Sequence, residues 1–369
     1  MSAGIDRRRA LALIGGAALA PAGARGAARE ARFARLARGF NLPDQVPATA
    51  ARRPDRAVLA FLRAAGMTHV RLPLRGESFM SRFSGRATIA AALADFDAAL
   101  DLLLGLDFAV SADMHPGDDF GRLHGADPDG ALAALREAWR NLSPAIRRRP
   151  ADRVLAELLN EPHTLDATWR AQAQRLIGDL RDDLPATTFV VGPAPFQRVE
   201  ALAGWRPFDD RNIVYAFHYY DPMAFTHQGL TWDAADPLSR LDGVPFPARR
   251  EDPGILRLLA RLRARGDFDL ARSIDRALDR PWTAQAIADQ FAPLAQWSAA
   301  HEAPVILNEF GALRFKADRR ARLAWLAAVR GAAQASGFGW AHWDYDQGFG
   351  LLDEAGRPDL PLIRALLPA

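Results

Sequence analysis

Short apolar segments alternate with longer amphipathic segments along most of the chain. Eight of the short segments are candidate strands, and several of them are the continuous apolar runs expected of parallel strands that are buried on both faces. They are predicted at 39–42, 69–73, 108–113, 154–160, 188–192, 213–219, 304–309 and 339–344.

Helical periodicity fills most of the intervals between these strands. Apolar residues recur at three- and four-residue spacing in 55–65, 89–104, 129–140, 168–184, 284–300 and 318–335, and two shorter helices are expected near Val199 and Leu362. Eight strand–helix units in succession predict an α/β fold of the (β/α)₈ TIM-barrel type in a single domain. A doubly wound open sheet is the alternative, but the glycine-rich phosphate loop typical of its first strand is missing.

One interval is much longer than a single crossover helix requires. Residues 220–303 separate the sixth and seventh strands; 221–253 are rich in proline, aspartate and aromatic residues, and two helical patterns follow at 255–265 and 269–278. Long loops in compact domains are usually functional, and on a barrel this one would overhang the mouth at the carboxyl ends of the strands. The alternative interpretation is an insertion that has no role in function.

The N-terminus has the three regions of an export signal. Arg7, Arg8 and Arg9 precede a mild apolar run at 10–20, and small residues continue to Ala24. The arginines before an Ala/Gly-rich segment are typical of a twin-arginine signal, although Ala10 stands where phenylalanine is often found. We therefore expect residues 1–26 to be a signal peptide, residues 27–369 to be the catalytic domain, and the mature protein to be periplasmic or extracellular. A basic tail without this function is the alternative.

Composition and charge exclude several classes of protein. The chain of 369 residues is 49% hydrophobic and 25% charged, as in ordinary globular proteins, and its formal charge of +3 falls to zero without residues 1–26. The sequence has no cysteine, which excludes disulfides, thiol nucleophiles and cysteine-ligated metals. We expect no nucleic-acid partner, no membrane association of the mature form, and a monomer.

Two glutamates follow apolar strands in similar settings. Glu161 lies in LLNEP at 158–162, and Glu309 in ILNEFG at 306–311, at the carboxyl ends of the fourth and seventh strands. An eight-stranded barrel of ~4.8 Å strand spacing brings two inward-pointing glutamates at these positions to about 6 Å. This estimate permits a retaining glycosidase, which needs ~5–5.5 Å between the carboxyls, and does not exclude an inverting one.

The other strand ends place polar and aromatic groups at the same rim. They are Arg71, His115, Asn160, His218, Tyr220 and Trp343. Taken singly, these residues also have purely structural interpretations. Arg71 could be an ion-pair partner that stabilises the fold, His115 a loop histidine and Trp343 a core residue.

These motifs together resemble glycoside hydrolase family 5, the cellulase-type retaining hydrolases. The resemblance spans about 37–367 and rests on VRLP (70–73), DMH (113–115), LNEP (159–162), HYY (218–220), NEFG (308–311) and Trp343. It implies that Glu161 is the general acid and base and that Glu309 is the nucleophile.

The same resemblance implies roles for the neighbouring residues. Arg71 and Tyr220 would hold the Glu309 carboxylate, and Asn160 would bind the sugar 2-hydroxyl. His115 and His218 would bind sugar hydroxyls or orient Glu161, and Trp343 would offer its face to the sugar ring. No cofactor and no metal are expected.

Further residues are candidates for the outer cleft or its support. Trp205 and Trp232 are predicted to stack on sugars, as are Phe120 and Phe225 with less support, since an aromatic residue in a loop is as often packing as platform. His227 and Gln228 are candidate substrate contacts. Glu157, four residues before Glu161, is expected to be a buried polar group and not a third catalytic acid.

The substrate and the reaction stay open at this point. The resemblance favours an endo-β-1,4-glucanase acting on a polysaccharide or oligosaccharide. A β-mannanase, a β-1,3-glucanase and an exopolysaccharide hydrolase or transglycosylase would use the same residues. A catalytically inactive carbohydrate-binding protein and a metal-dependent barrel hydrolase are the rivals from other classes, but the sequence lacks an HExxH motif and a lysine placed to bridge two metals.

Overall fold

The computed structural model describes residues 33–48 and 53–368, and these form a closed barrel of parallel strands. The strands follow chain order around the barrel, and β1 pairs with β8 to close it. They are β1 (Gly39–Asn41), β2 (His69–Leu74), β3 (Ala109–Met114), β4 (Val154–Glu157), β5 (Phe189–Val191), β6 (Ile213–Tyr219), β7 (Val305–Phe310) and β8 (Gly339–His342). The predicted (β/α)₈ barrel is confirmed, and the open sheet is excluded.

Helices surround the barrel. They are α1 (Arg56–Ala64), α2 (Arg86–Gly105), α3 (Asp118–Ala126), α4 (Pro128–Arg147), α5 (Asp166–Arg181), α6 (Val199–Ala203), α7 (Met223–Thr226), α8 (Pro253–Ala264), α9 (Phe268–Ala277), α10 (Ala284–His301), α11 (Arg319–Ala335) and α12 (Leu360–Leu366). In the described residues, no helix is both long and apolar enough to cross a membrane.

Two features of the helices differ from the sequence prediction. Helix α4 runs on to Arg147 through Pro144, because Leu142 and Ile146 beyond the predicted end are buried against the barrel. Helix α3 was not predicted, since it contains two glycines and carries its apolar residues on a single short face.

Two apolar layers pack on opposite faces of the strands. Most buried side chains lie between the barrel and its helices, whereas a smaller cluster fills the barrel interior with Leu36, Leu155, Val190, Val214, Ala216 and Ile306. Side chains alternate along a strand, so Glu157, His218 and Asn308 continue the interior rows toward the carboxyl ends. The interior therefore turns from apolar to polar at the mouth.

The long interval between β6 and β7 folds onto the barrel. Helices α8 and α9 pack against each other, and apolar residues of the segment such as Phe225, Phe246 and Ile255 join the outer core. The first part of the segment, up to Asp236, contributes side chains to the mouth of the barrel, as the sequence predicts.

Candidate active site

Two carboxylates face each other across the mouth of the barrel. Glu309 is part of β7, whereas Glu161 lies in the loop after β4, because β4 ends at Glu157 and not at the predicted residue 160. One carboxylate oxygen of Glu161, one of Glu309 and a ring nitrogen of His218 all lie within 4.8 Å of one another. This proximity fits the short carboxyl separation of retaining glycosidases and not the longer separation of inverting ones.

His218 lies between the two carboxylates, next to an irregularity in the pairing of β6 with β7, where Asn308 of β7 is the unpaired extra residue. The register between β6 and β7 shifts at Phe217/His218, so His218 is opposite Glu309. The His218 Nδ1 atom is 2.9 Å from Glu161 Oε1 and 3.5 Å from Glu309 Oε2. Burial lowers the pKa of His218 to about 4, so the neutral ring donates its Nδ1 proton toward Glu161.

Two donors hold Glu309. Arg71 Nη1 donates to Glu309 Oε1 at 2.5 Å, and the Tyr220 hydroxyl donates to Oε2 at 2.9 Å. Burial and the adjacent Glu309 charge raise the pKa of Tyr220, so the phenol keeps its proton. Charge-assisted bonds from both sides stabilise the ionised form of Glu309, which is the form that a nucleophile needs.

Glu161 has a different environment. Its side chain is 29% exposed to the cleft, and it has no arginine among its hydrogen-bond partners. Desolvation raises its pKa, against the opposing influence of His115, Arg71 and His163. A carboxyl whose proton is retained to higher pH can serve as a general acid.

Arg71 lies in the floor of the site and is fully buried. Its Nε and Nη2 atoms donate to the two oxygens of Glu157 at 2.7 and 2.9 Å, and Nη2 also lies 3.0 Å from Asp113 Oδ2. The expected burial of Glu157 is confirmed. Arg71 is therefore both the structural ion-pair partner and the group that contacts Glu309.

Asn160 and His115 form a chain of hydrogen bonds beside Glu161. Asn160 Oδ1 accepts a bond from Arg71 Nη2 at 2.8 Å, which leaves its Nδ2 to donate to His115 Nε2 at 3.2 Å. His115 Nδ1 must then carry the proton and donate it to Asp113 at 2.8 Å. Burial lowers the pKa of His115, which agrees with a neutral ring, and that ring stacks on Trp343 at 5.7 Å.

The cleft above these residues has a volume of about 1160 Å³. Glu161, Glu309, His218, Tyr220 and Trp343 are at its centre, and Trp232, 60% exposed, stands at its rim. A second pocket of about 620 Å³ shares His115 and Trp343 with it, so the cleft continues past the ring of Trp343 toward β1 and β2. This space suits a chain of several sugars better than one small molecule.

Some predicted cleft residues lie elsewhere, and the prediction for Trp205 is corrected. Trp205 is 5% exposed, packs on Phe208 and donates its indole N–H to Asp166, and it does not line the cleft. Phe120 and Phe225 are buried in the core, and Gln228 bonds backbone groups of Phe225 and Val244. Phe120 and Phe225 belong to the short helices α3 and α7 and not to loops, and the side chains of both are turned into the protein.

His227 and Trp232, by contrast, both line the cleft, and their rings lie 5.8 Å apart.

The structure also brings residues to the site that the sequence analysis missed. Phe196, 54% exposed, lines the cleft from the loop after β5, and Gln197 is buried directly beneath Glu161. Asn41, at the end of β1, accepts a bond from Arg71. Their position in the barrel could have identified them. Every strand of a barrel ends at the same rim, and the sequence analysis had assigned no functional residue to the ends of β1 and β5.

Glu161, His218 and Glu309 are also the residue types that ligate metals, and their ligand atoms are close enough to share an ion. Two observations weigh against this use. The His218 atom that faces both carboxylates is Nδ1, and this nitrogen already donates its proton to Glu161. In addition, one oxygen of Glu309 is hydrogen-bonded to the Arg71 cation. A divalent ion would have to displace a proton and lie beside a buried positive charge.

Curated proteins similar to this chain include cellulose-degrading enzymes by name. Endoglucanase 3 of Fibrobacter succinogenes is 30% identical over 253 residues, covering 65% of this chain and 37% of the relative. Endoglucanase H of Acetivibrio thermocellus is 23% identical over 294 residues, covering 79% of this chain and 27% of the relative. The chain thus spans about a third of the length of these relatives.

Solved structures share the fold over nearly the whole chain. A hyperthermophilic endo-β-1,4-glucanase in complex with substrate superimposes with a TM-score of 0.72 and 23% identity, covering 93% of this chain and 99% of that one. Endoglucanase Cel5A of Thermotoga maritima gives a TM-score of 0.73 and 22% identity, covering 92% and 99%. The sequence model of the cellulase family matches residues 35–348. The chain therefore belongs to the cellulase family, glycosyl hydrolase family 5.

Proposed function

We propose that the protein is a retaining endo-β-1,4-glucanase that cleaves β-glucan chains by double displacement. The observation that carries this proposal is the pair of facing carboxylates in unlike environments: Glu309 accepts hydrogen bonds from Arg71 and Tyr220, whereas Glu161 has a raised pKa. Family membership and the endoglucanase relatives support the choice of substrate.

The first step forms a covalent intermediate. The Glu309 carboxylate attacks the anomeric carbon of the bound glucan, while Glu161 gives its proton to the departing glycosidic oxygen. The positive charge that develops on the sugar lies near Glu309, and Asn160 is placed to bind the 2-hydroxyl, a contact that strengthens in this transition state.

The second step releases the sugar. With its proton gone, Glu161 acts as the base that takes a proton from water, and the water oxygen displaces Glu309 from the anomeric carbon. Two displacements return the anomeric centre to its starting configuration. Throughout, Arg71 and Tyr220 hold the Glu309 oxygens in place.

A hydrolysis panel tests this proposal. Carboxymethyl-β-1,4-glucan, mixed-linkage β-glucan, mannan and β-1,3-glucan are incubated with the wild type, Glu161→Gln and Glu309→Gln, with the exposed Glu354→Gln as control. We expect internal cleavage of the first two substrates with retained configuration by proton NMR. Both site variants should lose at least about 10³-fold in kcat, and the control should stay active. Inverted products, or activity that survives Glu309→Gln, would contradict the proposal.

Mannan is the second candidate substrate. The Thermotoga maritima structures that share this fold include complexes with cellobiose and with mannotriose, so this architecture accommodates either sugar in that protein. If mannan is cleaved faster than the glucans, this candidate replaces the first and leaves the roles of Glu161 and Glu309 unchanged.

We also propose that the protein is exported. The prediction rests on residues 1–26, which lie outside the described residues. Expression in a bacterium with a twin-arginine pathway should give a periplasmic protein that starts at residue 23 or residue 25, after Ala22 or Ala24, the ends of two A-x-A cleavage motifs. The double variant Arg8→Lys, Arg9→Lys should keep the full-length protein in the cytoplasm. Export that is unchanged in this variant would contradict the twin-arginine assignment.

A further inference from the structure

Gln197 lies beneath Glu161 in the loop between β5 and α6, and its side chain is completely buried. Both ends of its amide have partners. Oε1 accepts a hydrogen bond from the backbone N–H of Glu161 at 2.8 Å, and Nε2 donates to Glu157 Oε1 at 3.4 Å. One side chain thus joins the backbone of Glu161 to the ion-pair group around Arg71.

The surrounding backbone is shaped to admit this side chain. Gly192 follows β5 directly, and a Cβ at this position would lie 2.5 Å from Gln197 Nε2 and 2.7 Å from the Ala216 carbonyl oxygen, so any other residue would exclude the amide. Phe196 and Gln197 have φ values of 61° and 48°, in the left-handed region that non-glycine residues rarely adopt. Such a conformation is strained and persists only where surrounding contacts impose it.

The Glu161 backbone needs an external partner. Glu161 has a φ of 40°, also left-handed, and lies four residues beyond the end of β4. The backbone N–H of its neighbour Asn160 still donates to the Met114 carbonyl of β3 at 2.8 Å, whereas the Glu161 N–H donates to the Gln197 side chain. Without that acceptor, the buried N–H would lose its partner and the loop would relax toward a less strained conformation.

Gln197 also fixes the other contact of the Glu161 carboxyl. Its backbone carbonyl accepts the N–H of His218 at 2.8 Å, next to the register shift of β6, and the His218 ring donates to Glu161 Oε1. Gln197 therefore contacts both the residue that carries the carboxyl and the residue that orients it.

From these contacts we infer that Gln197 is a positioning residue for the general acid, Glu161. Its side chain is fully buried and does not line the cleft, and its hydrogen bonds within the site go to Glu161, Glu157 and His218 and not to Glu309. It holds the Glu161 backbone and the His218 strand so that the Glu161 carboxyl meets the glycosidic oxygen. This inference rests on the proposed function.

Two substrates with different leaving groups distinguish a residue that positions the acid from a residue that only stabilises the fold. Phenyl β-cellobioside releases a poor leaving group that needs a proton, whereas 2,4-dinitrophenyl β-cellobioside releases one that does not. The variant Gln197→Met keeps the volume of the side chain and removes both hydrogen bonds. We expect kcat/KM to fall about 10- to 100-fold on the phenyl substrate and less than about 3-fold on the dinitrophenyl substrate.

Two further variants serve as rescue and control. Gln197→Glu keeps an acceptor for the Glu161 N–H, and its protonated form also donates to Glu157, so activity on the phenyl substrate should recover relative to Gln197→Met, most at low pH. Gln172→Met removes the hydrogen bonds of another buried glutamine, on α5, to His124 and to the Pro128 carbonyl, and should affect both substrates equally or not at all.

The outcomes are distinguishable. Equal losses on the two substrates in Gln197→Met, or no loss on the phenyl substrate, would overturn the inference and leave the proposed function intact. A wild type that cleaves neither cellobioside nor any β-glucan would contradict the proposed function and, with it, this inference. A selective loss on the phenyl substrate with recovery in Gln197→Glu would support both.

Discussion

At the scale of single residues, identical side chains acquire different chemistry from their neighbours. The Glu309 side chain is only 6% exposed, but both of its carboxylate oxygens accept hydrogen bonds, one from the Arg71 cation and one from the Tyr220 hydroxyl. Glu161 is more open to the cleft but lacks such donors, and desolvation raises its pKa. The type and number of donors, and not exposure alone, assign the roles of nucleophile and acid.

The exposed His163 provides a test of the acid role of Glu161. In its protonated form it lowers the pKa of Glu161 through space. Since the general acid must carry a proton, kcat/KM should decline as pH rises through that pKa. Replacing His163 by glutamine removes the nearby positive charge, which raises the pKa of Glu161 and moves the decline to higher pH.

The pH profile is measured on phenyl β-cellobioside at low and high salt. The shift should shrink at high salt, because screening weakens a through-space interaction near the surface. His301→Gln, on α10 away from the cleft, is the matched control. A decline that moves to lower pH in His163→Gln would contradict the assigned sign.

Arg71 provides a test of stability. Its guanidinium lies among Asp113, Glu157 and Glu309, all buried, and burial raises the pKa of Asp113 to about 7 even with Arg71 present. Arg71→Met would leave these acids without their cation, so the free energy of unfolding at pH 8 should fall by about 3–5 kcal/mol. This loss of unfolding free energy should become smaller as pH falls, because protonation of the buried acids removes the negative charges that Arg71 no longer balances.

Urea denaturation at pH 8 and pH 5 measures this difference. Arg175→Met is the control, because Arg175 forms an exposed ion pair with Asp129 and its loss should cost less than about 1 kcal/mol. A deficit in Arg71→Met that is equal at both pH values would show that lost packing, and not unpaired charge, causes it.

At the scale of elements, the sequence predicted the eight strands well because parallel barrel strands are buried on both faces and form continuous apolar runs. It predicted the end of β4 less well. Leu158 and Leu159 continue the apolar run, yet they follow the end of the strand and are buried in the outer core. Hydrophobicity reports burial and does not mark the residue at which regular strand geometry ends, although the backbone N–H groups of Leu158 and Asn160 still donate to β5 and β3.

The same reasoning explains the mixed result for loop residues. Trp205 and Trp232 are both tryptophans in segments near the mouth, but Trp205 packs inward and Trp232 lines the cleft. The direction of a loop side chain depends on tertiary contacts such as the Trp205 bond to Asp166, 39 residues away. No local pattern in the sequence encodes that contact.

Trp232 therefore tests what the long interval between β6 and β7 contributes. Its ring stands at the cleft rim beside Phe349, at 6.3 Å between ring centroids. Trp232→Ala should raise KM for long glucans about 2- to 10-fold through loss of a stacking surface, with little change in kcat and little effect on aryl cellobiosides. Phe268→Ala, which removes an exposed aromatic residue of α9 outside the cleft, is the control. Equal effects on long and short substrates would contradict a role at the rim.

At the scale of the whole molecule, barrel closure and catalysis depend on the same side chains. β1 has only three residues, and it pairs with β8 through two of them. Asn41, fully buried at the end of β1, donates to the carbonyls of Asn308 on β7 and His342 on β8 at 2.9 and 3.2 Å, and accepts from Arg71 on β2 at 2.9 Å. The count of eight strands predicts closure, but it does not reveal which side chain secures the three-residue strand at which the barrel closes.

Asn41→Leu tests this coupling. The substitution keeps the approximate volume and leaves buried carbonyls and part of the Arg71 guanidinium without a partner, each at a cost of about 1–3 kcal/mol. We expect the free energy of unfolding to fall by about 2–4 kcal/mol in urea. Tryptophan fluorescence and far-ultraviolet circular dichroism should still report one coincident transition, because opening the barrel at β1 exposes the interior of every strand.

Asn141→Leu is the control, because Asn141 lies on α4 outside the barrel and donates to one carbonyl, that of Phe79. It should lower the free energy of unfolding by about 1 kcal/mol and leave kcat/KM unchanged. Asn41→Leu should lower kcat/KM as well, since Arg71 loses one of the contacts that aim it at Glu309. A loss of stability in Asn41→Leu without any loss of activity would separate barrel closure from the geometry of the active site.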